Sequence, residues 1–263
     1  MIIEEILKKA KPVLKEKRVK KVVIGLELMA VELDDGSLGL SYVLTDRLQG
    51  QCKSLSESGQ LGGLPAQDLA DWALNRENDI KSGLGIAVLS AVAHHFYTEE
   101  NLQQVDAGNA FSLDKNDVVG FIGYIAPIVK QVRPRVNRVI IFDKGKENFT
   151  KEVCPSYQQK ELLPLCDVIF ISGSTLINHT IDSLMAYCQS ARQTIITGLS
   201  TCLYPMAFKN TPVTHLAGMY WKPENKEKIF NKVGQAAGMI HLVHLGKKLT
   251  IELKNNIKKV EVK

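Results

Sequence analysis

The sequence lacks the features that place a protein in a membrane or outside the cell. Its longest apolar run, residues 118–129, contains two glycines and a proline and falls short of the roughly 18 apolar residues that a spanning helix needs. The first five residues show neither the basic start nor the apolar centre of a secretion signal. Five cysteines, without a Cys-x-x-Cys pair, argue against a disulfide framework and for a reducing compartment. We therefore expect a soluble, cytoplasmic protein.

The sequence also has little positive charge outside its two ends. The net charge is +5, but residues 1–21 carry eight Lys or Arg against three Glu, and residues 245–263 carry six Lys against two Glu. The remainder is net negative and has no basic stripe interleaved with aromatic residues. Lys-rich ends are usually solvated faces, so we expect neither a nucleic-acid partner nor a membrane partner.

The first part of the chain has the pattern of a small α+β domain, residues 1–105. Apolar residues at helical spacing over 3–14 predict an amphipathic helix that packs on the protein's own sheet. Apolar runs at 22–33 and 38–44, joined by a turn sequence with glycine, predict a β-hairpin. Residues 45–63 form a long polar loop, either a lid or binding loop or a simple connector. Two helices follow, over 65–75 and from a cap at Asp79 to Phe96.

The second part, residues 106–263, alternates strands with helices, which is the mark of a parallel sheet with right-handed crossovers. The predicted strands are 118–122, 138–142, 168–172, 194–197 and 213–217, and the predicted helices are 127–132, 177–189 and 224–237. A final alternating run, 248–253, is predicted to be an edge strand, which would also suit a homodimer. The fold class is therefore α/β.

Small polar residues follow several of these strands. In an open parallel sheet, ligands bind beyond the carboxyl ends of the strands, so these residues are the candidate ligand-binding set. They are Gly120, Gly123, Asp143, Gly173, Ser174, Thr175, Asn178, Gly198, Ser200 and Thr201. Each has a structural alternative: a helix cap for Ser174 or Thr175, close strand–helix packing for Gly123, and a solvated strand end for Asp143.

Gly120 and Gly123 followed by Asp143 also allow a nucleoside interpretation. The acid stands 23 residues after Gly120, close to where a Rossmann acid accepts hydrogen bonds from ribose. The turn lacks the full G-x-G-x-x-G pattern, so the dinucleotide signature is incomplete.

Metal ligands are present but dispersed. No cysteine is paired at the spacing of a structural zinc site. Cys52, His179 and Cys202 fall in the predicted site loops and could converge on a soft metal. The alternative is that they are core or loop residues without a ligand.

The order of elements and several short motifs resemble a known family. The motifs are Gly59-Gln60-Leu61-Gly62-Gly63, Gly85-Ile86-Ala87, Ser172-Gly173-Ser174-Thr175 and Gly198-Leu199-Ser200-Thr201. Together they resemble the family described as "putative heavy-metal chelation", whose members have an enolase N-terminal-like domain followed by a Rossmann-like domain. The resemblance implies a site in the cleft between the domains, lined by the glycines and hydroxyls above and by the loop of Cys52. Ser90 stands where the family pattern leads us to expect asparagine.

Three functions remain open from the sequence. The first is binding of a small anionic or metal-chelating ligand in the cleft, with a heavy-metal ion or a metal complex as the bound group. The second is an enzyme that uses a nucleoside-containing cofactor such as S-adenosylmethionine or a nucleotide. The third is an assembly or scaffold protein whose basic ends serve a partner surface.

Overall fold

A computed structural model describes residues 1–48, 55–97, 102–103 and 111–253. The first part of the chain contains a three-stranded antiparallel sheet in the order β1-β2-β3. Its strands are β1 (Val19–Ile24), β2 (Leu28–Leu33) and β3 (Leu38–Tyr42). The predicted hairpin is thus present, with one strand more than expected.

The extra strand results from a tight turn inside the apolar run 22–33, which was wrongly expected to be one strand. The chain reverses at Gly25, whose N–H donates a hydrogen bond to the carbonyl of Leu28. A Cβ at Gly25 would lie 2.1 Å from the carbonyl oxygen of Val233. Glycine therefore lets this turn contact a helix from the second part of the chain.

Three helices cover this small sheet or flank it: α1 (Ile2–Leu14), α2 (Ala66–Asp71) and α3 (Asp79–Ala91). The apolar face of α1 is buried as predicted, but it contacts α2 and α3 and belongs to the same core as they do. The helix-to-sheet packing expected for α1 is made chiefly by α3. The cap of α3 is Asn78, whose side chain accepts hydrogen bonds from two backbone N–H groups. Asp79 is instead the first helical residue and pairs with Arg47.

The second sheet has eight strands in the order β4-β11-β10-β9-β8-β5-β6-β7, of which β4 precedes residue 106 and the other seven belong to the second part of the chain. The strands are β4 (Leu102–Gln103), β5 (Val118–Ile122), β6 (Arg138–Phe142), β7 (Val153–Cys154), β8 (Val168–Ser172), β9 (Gln193–Thr197), β10 (His215–Trp221) and β11 (Gly246–Glu252). The six strands from β7 to β10 are parallel. Counted from β5, their order is 3-2-1-4-5-6, which is the order of Rossmann folds. The mixed α/β class, with a mostly parallel sheet and a small antiparallel one, is confirmed.

The remaining helices are α4 (Ala126–Val132), α5 (Gln159–Leu162), α6 (Ser174–Ile177), α7 (Ile181–Met185) and α8 (Lys226–Gly234). The single helix predicted over 177–189 is wrong. It is divided because His179 has a φ of 59°, a left-handed conformation that a continuing helix does not allow.

Two strand predictions at the end of the chain also need correction. β10 starts at His215 rather than at 213, because its seven residues pair in register with β11. β11 is not an edge strand, since β4 pairs with its other side. Among the described residues, no helix is long and apolar enough to cross a membrane.

Buried charge joins the two parts of the chain. Glu32 on β2 is 1% exposed and pairs with Lys20 of β1 and Lys226 of α8. Burial alone would raise the pKa of Glu32, but hydrogen bonds from Lys226 and Lys20 hold that pKa below its ordinary value. The carboxylate is therefore charged, and it fixes α8 to the small sheet.

Candidate functional site

Two of the predicted loops meet directly beyond the ends of β8 and β9. A Cβ on Gly173 would lie 2.6 Å from the backbone nitrogen of Thr201 and 2.7 Å from the carbonyl carbon of Ser200. Only glycine fits at such a distance from another backbone. The loops 172–175 and 198–201 are therefore packed against each other, as the strand-end argument predicts.

The hydroxyls of these loops are mostly occupied by local hydrogen bonds. Thr175 donates to the carbonyl of Ser172, and Ser172 and Ser174 lie 2.8 Å apart, Oγ to Oγ. Ser200, fully buried, accepts a hydrogen bond from the backbone N–H of Tyr42. Thr201 Oγ1 is buried without a hydrogen-bond partner in the described part of the chain. Most of these hydroxyl groups therefore stabilise the conformation of the two loops, and the hydroxyl of Thr201 is left without a partner among the described residues.

A cavity of about 690 Å³ opens beside these loops. Most of its lining is apolar. The lining residues come from β3 and the segment after it, from the ends of β5, β6, β8 and β9, from α4, β10 and β11, and from the segment after α8. The polar and charged side chains of the lining are Tyr42, Asp46, Tyr124, Gln131, Asp143, Ser172, Ser174, Thr197, Lys248 and Thr250. The volume suits a small organic molecule rather than a single ion.

Asp143 lies at the end of β6 and is held by the turn that follows β5. Its Oδ2 accepts a hydrogen bond of 2.8 Å from the backbone N–H of Tyr124. Gly123 has a φ of 92°, and a Cβ there would lie 2.9 Å from Cβ of Ser172. Glycine therefore brings the ends of β5 and β8 together and aims the next N–H at Asp143.

A second carboxylate approaches Asp143 from the first part of the chain. Oδ2 of Asp46 and Oδ1 of Asp143 lie 3.4 and 3.5 Å from the position that a Cβ on Gly145 would take. Both residues line the cavity. This rim is therefore negative, which disfavours a ligand that carries anionic charge there.

The predicted ligand-binding residues divide into three groups. Gly123, Asp143, Ser174 and Gly198 line the cavity, whereas Gly173, Thr175, Ser200 and Thr201 form the loop packing behind it. Gly120 and Asn178 lie outside the cavity lining. A Cβ on Gly120 would lie 2.9 Å from Sγ of Cys166, so this glycine allows close packing inside the sheet. The carbonyl of the Asn178 side chain accepts hydrogen bonds from Thr180, which stabilises the turn between α6 and α7.

The predicted metal ligands do not form a metal site in the described residues. Cys52 lies outside them. His179 Nε2 is 2.9 Å from the carbonyl oxygen of Asn75, at the contact between the two parts of the chain. Cys202 is fully buried beside Ser90, and burial raises the pKa of its thiol to about 12, whereas metals bind the thiolate. Across the described ranges, no three His, Cys, Asp or Glu side chains are close enough to hold one metal ion.

Several lining residues have little or no signal in the sequence. Asp46 was part of the polar loop 45–63, but nothing in that loop indicates that its carboxylate approaches Asp143. Met219, Met239 and Ile240 also line the cavity. Ile240 is 80% exposed in the structure, but its sequence context does not distinguish it from a buried apolar residue.

Comparisons with known proteins agree with this architecture. Two family models, both described as "Putative heavy-metal chelation", match residues 4–93 and 106–251. An uncharacterized protein of Methanocaldococcus jannaschii is 26% identical over 229 residues, which cover 82% of this chain and 85% of that protein.

Two crystal structures of proteins of unknown function, both from the family of the second model, share the fold. The protein from Pyrococcus horikoshii has a TM-score of 0.83 at 24% identity and covers 96% of this chain and 100% of its own. The protein from Desulfitobacterium hafniense has a TM-score of 0.75 at 18% identity, with 95% and 98% covered. The 106–251 model alone matches more than half of the chain. The chain therefore belongs to the family described as "Putative heavy-metal chelation".

Proposed function

We propose that this chain binds a small metal-chelating organic molecule, or the complex of such a molecule with a heavy-metal ion, in the cavity beside Asp143 and Ser174. The observation that carries the proposal is a largely apolar cavity of about 690 Å³ with a few polar groups at its edge. Sites for small molecules have this composition: apolar walls for the body of the ligand and a few polar groups for its orientation. The family description supports the choice of a chelating ligand.

The donor set argues for a chelate rather than a bare ion. A heavy-metal ion bound by protein alone needs several soft or anionic ligands around one point. The described residues offer no group of three such side chains. An ion in this cavity would therefore bring most of its ligands with it, as the centre of an organic complex.

The charge of the rim argues for a neutral or cationic complex. Asp46 and Asp143 both present carboxylate oxygens near Gly145, whereas Lys248 is the cationic side chain of the described lining. The thioethers of Met219 and Met239 are soft donors in the same lining. This combination suits a cationic complex with an apolar chelator better than it suits a free anionic chelator.

Isothermal titration calorimetry on the full chain tests the proposal. The probes are Ni²⁺ alone, 1,10-phenanthroline alone, their 1:1 complex, and the anionic complex of Ni²⁺ with citrate. We expect the phenanthroline complex to bind more tightly than the metal alone and more tightly than the citrate complex. Ser174→Ala combined with Thr197→Val should weaken this binding, whereas Ser183→Ala, an exposed serine outside the cavity, should not. Equal heats for all variants, or binding of the metal alone, would contradict the proposal.

A further inference from the structure

The cavity lies at the point where the strand order of the large sheet reverses. β5 is the first strand of the parallel set, and the chain extends from it to β6 on one side and to β8 on the other. Gly123, which follows β5, and Ser172, which ends β8, both line the cavity. In open α/β sheets, the crevice at this switch point is where ligands bind, and Rossmann folds bind nucleotide cofactors there.

Asp143 occupies the position at which Rossmann folds place the acid that binds ribose. It ends β6, the second parallel strand, and its Oδ2 is fixed by the N–H of Tyr124. For Oδ1, the described residues supply no hydrogen bond or ion pair, and the structure places it near Gly145, where there is no side chain. Asp143 lines the cavity, and a carboxylate with one oxygen held by a backbone N–H keeps its other oxygen as an acceptor for a vicinal diol.

The surroundings argue against phosphate on the same ligand. Asp46 adds a second carboxylate beside Asp143, and the described lining contains one cationic side chain, that of Lys248. The glycine pattern that cradles a diphosphate is incomplete. Gly120, its first glycine, packs against Cys166 inside the sheet rather than facing the cavity.

The geometry points to a phosphate-free ribonucleoside as the ligand class, with the ribose hydroxyls donating hydrogen bonds to Asp143 and the base against the apolar wall. This inference rests on the proposed function, because it uses the same cavity and gives a chemical class to its organic ligand. A nucleoside that carries a cationic group fits the acidic rim as well as a neutral nucleoside does.

The assignment of a phosphate-free ribonucleoside is tested by calorimetric titration of the full chain with adenosine, 2′-deoxyadenosine and adenosine 5′-diphosphate. We expect adenosine to bind. The affinities of 2′-deoxyadenosine and of the diphosphate should each be lower by a factor of about ten or more. The Asp143→Asn variant should fold, because the asparagine side chain keeps an oxygen that can accept the hydrogen bond from the N–H of Tyr124. Its affinity for adenosine should be about tenfold lower than that of the wild type. The matched control is Asp68→Asn, an exposed carboxylate on α2, which should change nothing.

Gly145→Ala gives a second variant that does not alter the carboxylate itself. Its methyl group would meet both Asp46 and Asp143 at ordinary contact distance, so the fold should be kept while space at the diol is reduced. Adenosine affinity should fall, and the melting temperature should not.

The outcomes separate this inference from the proposed function. Absence of adenosine binding, or binding that Asp143→Asn leaves unchanged, would overturn the inference. If the nickel–phenanthroline complex binds and adenosine does not, only the nucleoside assignment fails. If neither binds, the proposed function fails with it.

Discussion

The backbone N–H of Tyr42 donates a hydrogen bond of 3.0 Å to Oγ of Ser200. Tyr42 ends β3 of the small sheet, and Ser200 lies in the loop after β9 of the large one. This hydrogen bond ties the first part of the chain to a strand end at the cavity. It gives Ser200 a positioning role in the junction that forms the site.

Ser200→Ala should therefore destabilise the protein. The serine is fully buried, and its loss leaves the N–H of Tyr42 without an acceptor, which costs about 1–3 kcal/mol. Urea unfolding measures the change, with Ser183→Ala as the control at an exposed serine. A change in unfolding free energy no larger than that of the control would show that the junction does not depend on this bond.

Gly173→Ala should disturb the contact between the two strand-end loops. A methyl group at this position would lie 2.6 Å from the backbone nitrogen of Thr201, so one loop must move. We expect a loss of about 1–3 kcal/mol in the free energy of unfolding.

The matched control is Gly62→Ala, where the nearest described atom to the added methyl group would be the carbonyl oxygen of Lys20, at 3.7 Å. It should change the stability by less than about 0.5 kcal/mol. Equal stabilities for the two glycine variants would mean that the loops do not pack as described.

Glu32 makes part of the stability depend on pH. Its folded pKa is lowered by Lys226 and Lys20, so its contribution is present above the unfolded pKa and is lost as pH falls through the folded one. The difference in unfolding free energy between wild type and Glu32→Gln should be constant near pH 7 and shrink below about pH 4.5, the ordinary pKa of glutamate. If this difference grew as the pH falls, the folded pKa of Glu32 would have to be raised rather than lowered, which would contradict the account.

Cys202 should be unreactive in the folded protein. Burial raises the pKa of its thiol to about 12, so at pH 8 almost none of it is thiolate. Alkylation by iodoacetamide followed by peptide mass spectrometry should find Cys202 protected in the native state and labelled after unfolding. Cys154, which is partly exposed, provides the internal comparison. Rapid native labelling of Cys202 would return it to the list of possible metal ligands.

The sequence predicted the regular parts of the fold well. Five of the six parallel strands were found, because buried parallel strands form short continuous apolar runs separated by turn residues. The sixth, β7, has two residues and leaves no such run. The likeness of the first part of the chain to an enolase N-terminal domain stays a prediction.

The site was predicted less completely, for a physical reason. The sequence placed Gly123, Asp143, Ser174 and Gly198 together, and all four line the cavity, because a parallel sheet brings strand ends to one edge whatever the details of packing. Their role as ligand-binding residues stays a prediction. The approach of Asp46 to Asp143 depends on how the small sheet is placed against the large one. That placement is set by contacts such as Glu32 with Lys226, more than 190 residues apart, which no local pattern reveals.

The most direct measurement is a crystal structure of the full chain grown with the 1:1 nickel–phenanthroline complex, with anomalous scattering recorded at the nickel edge. A bound chelate places one anomalous peak inside the cavity lined by Asp143 and Ser174, with density for the chelator against the apolar wall. A peak outside that cavity, with the cavity itself filled only by solvent, would contradict the central claim.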